Sequence, residues 1–147
     1  MIALLQRVNS AEVHINGQCY NDINKGLLIL LGIEKNDSDV DISYLIEKII
    51  HLRIFNDNDE KMNLSITDIQ GEILLISQFT LLADTQKGRR PSFLDSANPD
   101  LAKQMYQLFI NQLNKTNLII KTGQFGAMMD IQLINNGPAT FILNSSS

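Results

Sequence analysis

Gly26-Leu27-Leu28-Ile29-Leu30-Leu31 is apolar at every position after its glycine. A strand with one wet face alternates apolar and polar residues, whereas a short unbroken apolar run suits a strand covered on both faces. This block is therefore expected at the centre of a sheet. On its N-terminal side, Ile2 to Ile15 mixes β-branched and apolar residues and runs into Asn16-Gly17, a pair that adopts the positive φ angles of a tight hairpin. The opening is expected to be strand, turn, strand.

Beyond the block the period changes. Ile42, Leu45, Ile46 and Ile49 recur at helical spacing, with Asp37, Ser38 or Asp39 available as N-cap. A short strand is expected around Leu52 to Phe55, then the turn-rich Asn56-Asp57-Asn58-Asp59. Gly71 opens a second buried strand, Glu72 to Gln78, and Ala83 to Ala97 lacks periodicity and is expected to be a long surface loop. Asn98-Pro99-Asp100 reads as a helix start: an Asn cap, a Pro whose missing N–H costs nothing there, and an acid at the positive end of the dipole. Leu101, Met105, Leu108, Phe109 and Leu113 follow as one stripe. Two strands, Met128 to Ile134 and Ala139 to Leu143, are expected to close the chain, joined by a turn at Asn135-Asn136-Gly137-Pro138. No repeat or linker interrupts this order, which predicts a single α/β domain over residues 1–147 with a sheet or barrel-like core and two principal helices.

Composition narrows the function. The 147 residues are 44% hydrophobic and 19% charged, which excludes disordered and fibrous classes. The longest apolar stretch, Gly26 to Ile33, falls well short of the ~20 residues a membrane-spanning helix needs. Twelve Lys and Arg against sixteen Asp and Glu leave a formal charge of −4, which argues against broad duplex DNA binding. Gln6 and Arg7 arrive too early for a secretory leader, and the lone Cys19 cannot form an internal disulfide. A cytoplasmic protein with neither DNA nor membrane as partner is expected.

Candidate chemistry is sparse. His14, His51 and Cys19 do not stand at ligand-like spacing, so no metal and no cofactor is expected. Asp57, Asp59 and Glu60 lack the central Gly and terminal Glu of a calcium loop and read as a solvated turn. Neither histidine is flanked by a nucleophile motif, and both read as structural. Lys87-Gly88-Arg89-Arg90 is either a solvated loop or a phosphate anchor, since Arg offers a bidentate fork. Ser77-Gln78-Phe79-Thr80-Leu81 places small polar groups at the end of a hydrophobic strand, as a strand cap or as a mounting for chemistry. Gly137-Pro138 is a turn by default, and an X-Pro bond there can be cis at modest cost.

Taken together, Ser77-Gln78-Phe79-Thr80-Leu81 and Gly137-Pro138-Ala139-Thr140 resemble the two signature motifs of the D-aminoacyl-tRNA deacylases. Arg7-Val8, Lys61-Met62-Asn63-Leu64-Ser65, Arg90-Pro91-Ser92-Phe93 and Phe125-Gly126-Ala127 resemble that family in the same order. The resemblance implies a homodimer that hydrolyses the ester of D-aminoacyl-tRNA or glycyl-tRNA. It implies that Ser77, Gln78, Phe79 and Thr80 hold the 3′ adenosine and the ester carbonyl. It further implies that Gly137 and Pro138, with Ala139, Thr140 and Met129, meet the aminoacyl group, the Gly-Pro pair reaching into the other subunit and Arg7 bracing it. Lys87, Arg89 and Arg90 are the tRNA-phosphate candidates. A non-catalytic tRNA-end module and a purely structural dimerisation domain are the alternatives. The chain departs from the family pattern at Asn136, Ala139 and Met128, which more often are Asp, Val and an acidic residue.

Overall fold

The computed structural model describes residues 1–145. Strand β1 (Ile2–Ile15) turns through Asn16 and Gly17, both at positive φ, into β2 (Gln18–Ile23), as the Asn-Gly pair predicts. β3 (Gly26–Gly32) is the expected central strand, antiparallel to β1 on one side and parallel to β6 (Glu72–Ser77) on the other. Gly26 sits against the Glu72 backbone so closely that a Cβ there would lie 1.8 Å from the Glu72 carbonyl oxygen.

Helix α1 (Asp39–His51) starts at Ser38, whose backbone N–H and hydroxyl both donate to the Asp41 carboxylate, and its four predicted apolar residues are all buried. Helix α3 (Pro99–Leu113) begins where the Asn98 side chain accepts the Leu101 N–H at 2.9 Å. Its buried residues are Met105, Tyr106, Phe109 and Leu113; Leu101 is only half-buried, Leu108 likewise, and Tyr106 lies outside the predicted stripe. A one-turn helix α2 (Ile66–Ile69) and strands β5 (Met62–Leu64) and β7 (Ile119–Thr122) add to the expected elements. The strand expected at Leu52 to Phe55 is instead the two-residue β4 (Phe55–Asn56), paired with β5. The intervening acidic turn is organised by Asp57, whose carboxylate accepts the Asp59 and Lys61 N–H groups and the Asn63 amide.

The larger correction concerns the end of the chain. No turn separates two closing strands: β8 (Asp130–Asn144) is one strand, antiparallel to nearly the whole of β1. Turn-forming residue types at 135–138 are overridden by long-range pairing. They appear as an interruption of the ladder, where Gln6 pairs Thr140 and Val8 pairs Asn135, so the segment 136–139 stands opposite Arg7 alone.

The sheet runs β2-β1-β3-β6-β7, with β8 on the free side of β1. It curls towards closure, since the Asn21 amide on β2 donates to the Thr122 carbonyl on β7 at 2.7 Å. Leu27, Ile29, Leu31, Ile73 and Leu75 pack against α1 and α3, while Leu28, Leu74 and Ile76 face a second buried cluster with Val8, Ala11 and Val13. An extra residue at Asn9, between the Val8 and Ser10 pairings, lets both even and odd positions of β1 contribute to that cluster. These two covered faces explain the unbroken apolar run of β3.

Candidate functional site

β6 ends at Ser77 level with Leu31, and the Gln78 N–H caps the pairing by donating to the Leu31 carbonyl at 2.8 Å. The chain then enters a single 3-10 turn, Phe79–Leu82. The first N–H groups of such a turn have no acceptor within it, and among the described residues those of Phe79 and Thr80 donate to no other backbone carbonyl. Ser77 and Gln78 are half-buried, and Phe79 and Thr80 are exposed. The Gln78 side-chain amide donates to the Thr80 hydroxyl oxygen, which orients that hydroxyl. Neither histidine is its partner: His14 is bonded to Glu12, and His51 to Glu47. The Phe79 ring meets Phe93 edge-on at 4.9 Å.

Phe93 belongs to the long loop, which is pinched at its base by reciprocal Asp84 and Ser92 backbone bonds of 2.8 and 2.9 Å. Lys87, Arg89 and Arg90 lie at its exposed tip, and among the described residues none of them forms an ion pair. The cation cluster is thus carried on a loop rooted at the strand-end turn.

The second motif occupies the interruption in β8. The Gly137-Pro138 peptide is cis, Gly137 and Pro138 are both exposed, and Ala139 after them is buried at 4% exposure. Arg7 lies behind it, 6% exposed, with its Nε donating to the Asn136 carbonyl at 2.8 Å. Its terminal nitrogen donates to the Ile54 carbonyl at 2.8 Å and to Asn56 Oδ1 at 3.1 Å. No carboxylate pairs with it among the described residues, so the buried cation is held by neutral oxygens. Asn135 spans the interruption, its amide donating to the Arg7 and Ala139 carbonyls at 3.1 and 3.3 Å. The departing residue Asn136 donates to Asn9 Oδ1 at 2.8 Å. Sequence reasoning finds Arg7 through the resemblance but misses Asn135, Ile54 and Asn56, because the ladder that assembles them is long-range.

The structure does not bring the two motifs together within one chain. Ser77 is level with Leu31 and Ala3, four residues along β1 from Arg7, and β3 and β1 separate β6 from β8. At about 3.3 Å per residue and 4.8 Å per strand the offset is roughly 13 Å by 14 Å along the sheet. Met129 packs on the second cluster, and a Cβ on Gly123 would lie 2.6 Å from its sulfur. Thr140 accepts from the Gln6 amide at 3.3 Å, and Met128 is 90% exposed.

The family model described as D-Tyr-tRNA(Tyr) deacylase matches residues 4–144. The chain belongs to that family. A D-aminoacyl-tRNA deacylase of Thermosipho melanesiensis is 53% identical over 146 residues, covering 99% of this chain and 97% of that protein. One of Finegoldia magna is 53% identical over 147 residues, covering 100% and 99%. Among solved structures, the c-Myc DNA Unwinding Element Binding Protein superposes with a TM-score of 0.95 at 38% identity, all of both chains being covered. A probable eukaryotic D-amino acid tRNA deacylase superposes at 0.79 with 15% identity over 97% of this chain and 98% of that one, a likeness of fold alone.

Proposed function

We propose that this chain hydrolyses the ester bond of D-aminoacyl-tRNA, releasing the D-amino acid and tRNA, and that glycyl-tRNA is a second substrate. The observation that carries the reading is full-length kinship: relatives named D-aminoacyl-tRNA deacylase match at about half identity over 99% of the chain. In this scheme Ser77, Gln78, Phe79 and Thr80 hold the terminal adenosine and the ester carbonyl. The unengaged N–H groups of Phe79 and Thr80 supply donors for the oxyanion that develops as water attacks. An aminoacyl ester is already activated, so orientation and such donors replace a strong base, and the neighbouring ribose 2′-hydroxyl assists. Thr80 positions the substrate in this scheme, because among the described residues no side-chain base touches its hydroxyl.

The scheme is dimeric. Gly137 and Pro138 of one copy enter the strand-end site of the other, where their main chain occupies the space an L side chain needs, with Ala139, Thr140 and Met129 lining the aminoacyl end. Three observations support a second copy. The two motifs lie apart in one chain, the outer edge of β8 has no partner strand among the described residues, and Ile134 and Ile142 stand 57% and 65% exposed on β8. Lys87, Arg89 and Arg90 hold tRNA phosphates. Duplex DNA is outside the proposal, since a net charge of −4 with one small cationic cluster gives a weak field for it.

The test is release of amino acid from D-Tyr-tRNA and L-Tyr-tRNA by the purified protein. D-selective hydrolysis is expected, and Thr80→Ala is expected to keep measurable turnover. Equal rates on the two enantiomers would refute the stereochemical reading. tRNA binding without hydrolysis would leave a non-catalytic module.

A further inference from the structure

Spacing in the sequence keeps His14 and Cys19 apart as ligands, but the β1–β2 hairpin does not. A bulge between Val13 and His14 sets His14 directly opposite Cys19, and Glu12 opposite Asp22. Directly opposed residues project from the same face of a sheet, as do residues two apart on one strand. Glu12, His14 and Cys19 therefore converge: one donor atom from each lies within 4.8 Å of the others, and His14 Nε2 is 2.7 Å from the Glu12 carboxylate. On the other side of β1, Asp130 of β8 is the ladder partner of His14.

We propose that Glu12, His14 and Cys19 form a binding site for a divalent metal ion of borderline-soft character, Zn²⁺ being the best match. Imidazole, thiolate and carboxylate together form a zinc donor set, and Zn²⁺ takes four such ligands in a tetrahedron. Bond lengths of about 2.0–2.3 Å at tetrahedral angles put neighbouring donor atoms roughly 3.3–3.8 Å apart. The observed spread, 2.7 Å to within 4.8 Å, reaches that range by small side-chain rotations alone. Two of the three ligands are half-buried and Cys19 is exposed, so the ion has a path of entry. A water fills the fourth position.

The local charge favours a cation. The Glu12 carboxylate stands beside Cys19, and Asp22 is the ladder partner of Glu12, so two acids flank the position an ion would take. Binding forms the sulfur–metal bond as the thiol gives its proton to solvent, while His14 exchanges its contact with Glu12 for a shared ion. The site would tie β1 to β2. It lies seven residues along β1 from Arg7, roughly 23 Å at strand rise.

Because Cys19 is the sole cysteine, the test is unambiguous. The full-length, chelator-stripped protein is titrated with Co²⁺ as a spectroscopic probe, then with Zn²⁺. One Co²⁺ per chain is expected, with tetrahedral d–d bands and a near-ultraviolet thiolate-to-cobalt charge-transfer band, both displaced by Zn²⁺. Cys19→Ser should abolish the charge-transfer band, and Cys19→Ser and Glu12→Gln should each weaken Zn²⁺ binding by roughly tenfold or more. Zn²⁺ should also slow alkylation of Cys19 in the unaltered protein. An unchanged urea midpoint for Cys19→Ser shows that the variant folds. Absence of a charge-transfer band, or Zn²⁺ affinity indifferent to both substitutions, would overturn the site. D-Tyr-tRNA hydrolysis by Cys19→Ser, measured alongside, stands or falls independently of the metal result.

Discussion

Arg7 is the sharpest place to perturb this molecule. Its guanidinium belongs to a residue only 6% exposed and reaches three neutral oxygens: the Ile54 carbonyl in a buried contact, and the Asn136 carbonyl and Asn56 Oδ1 in part-buried ones. Leaving a buried acceptor unmet costs about 1–3 kcal/mol. Taking about 2 kcal/mol for Ile54 and about 1 for each of the others, Arg7→Ala costs about 4 kcal/mol. Against a total stability of about 5–15 kcal/mol, that variant is close to unfolding. Arg7→Lys is more informative. A single ammonium can meet the Ile54 carbonyl but lacks the fork that also reaches Asn136, so it should cost about 1–2 kcal/mol. If Arg7 positions the Gly137-Pro138 segment, the same change should lower kcat for D-Tyr-tRNA by on the order of tenfold, which corresponds to about 1.4 kcal/mol of transition-state stabilisation. Asn56→Ala is the control: it removes one acceptor, leaves the Nε bond to Asn136 in place, and should cost about 1 kcal/mol with kcat unchanged. Urea unfolding and single-turnover deacylation measure both quantities. Full activity in Arg7→Lys, or an equal loss of activity in Asn56→Ala, would refute the positioning role.

Gly26→Ala forces a Cβ to within 1.8 Å of the Glu72 carbonyl oxygen in the parallel pairing of β3 and β6. A loss of about 3 kcal/mol or more is expected in urea unfolding, since backbone and not a movable side chain must give way. Gly137→Ala instead meets Asn135 Oδ1 at 2.8 Å, a side chain tethered by two bonds of its own amide. It should cost only about 1 kcal/mol of stability while reducing D-Tyr-tRNA hydrolysis. The Asn63 amide and the Lys61 N–H hold Asp57 below the usual carboxylate pKa, and the Ser65 backbone N–H does the same for Asp68. A carboxylate depressed in the folded state stabilises it above the unfolded pKa, about 3.9. That contribution is lost as pH falls through the lower folded value. The urea midpoint should therefore drop below about pH 4, and Asp57→Asn should shallow the drop; a midpoint that rises on acidification would contradict this. Replacing Lys87, Arg89 and Arg90 with Ala should weaken tRNA binding and flatten its salt dependence, by about 0.7 to 0.9 in log–log slope for each phosphate no longer neutralised. An unaltered slope assigns the cluster to a solvated loop.

The elements legible in the sequence are those specified by neighbours in sequence. Asn98-Pro99-Asp100 supplies a cap, a pre-set φ and a dipole partner within three residues, and the helix starts there. Asn16-Gly17 supplies both positive φ angles of its hairpin. Residues 135–138 have the same local vocabulary and do not form the expected turn, because β1 pairs with the chain on both sides of them and leaves them as an interruption within one strand. β4 and β5 are too short for any period to show. In the candidate site, Ser77 to Thr80 is visible as polarity at a strand end. The Arg7 cradle is assembled from residues 47 and 129 positions away in the chain, and local pattern carries no trace of it. The pairing of His14 with Cys19 escapes the sequence for a related reason: a bulge, not a spacing rule, sets their register.

The interruption in β8 bears on why a stereochemical filter would be built there. D- and L-aminoacyl groups contain the same atoms, so contacts that favour a side chain cannot separate enantiomers across many amino acids; a fixed obstacle on one side of the α-carbon can. Main chain serves as such an obstacle for every side chain alike, and glycine, with no Cβ, passes it. Main chain within a regular ladder cannot serve, because its polar groups are spent on neighbours and its faces are covered by side chains. Main chain that leaves the ladder is free to do so but loses the bonds that keep it rigid. Here those bonds are replaced from the side. Arg7 Nε holds the Asn136 carbonyl, the Asn135 amide joins the Arg7 and Ala139 carbonyls, and the Asn136 amide holds Asn9. The Asn136 side chain thus ties the segment to Asn9. On the proposed scheme the selectivity resides in those ties, so loosening them should admit L-aminoacyl-tRNA before it abolishes hydrolysis. The ratio of L to D rates in Arg7→Lys, and not the D rate alone, is the quantity that decides it.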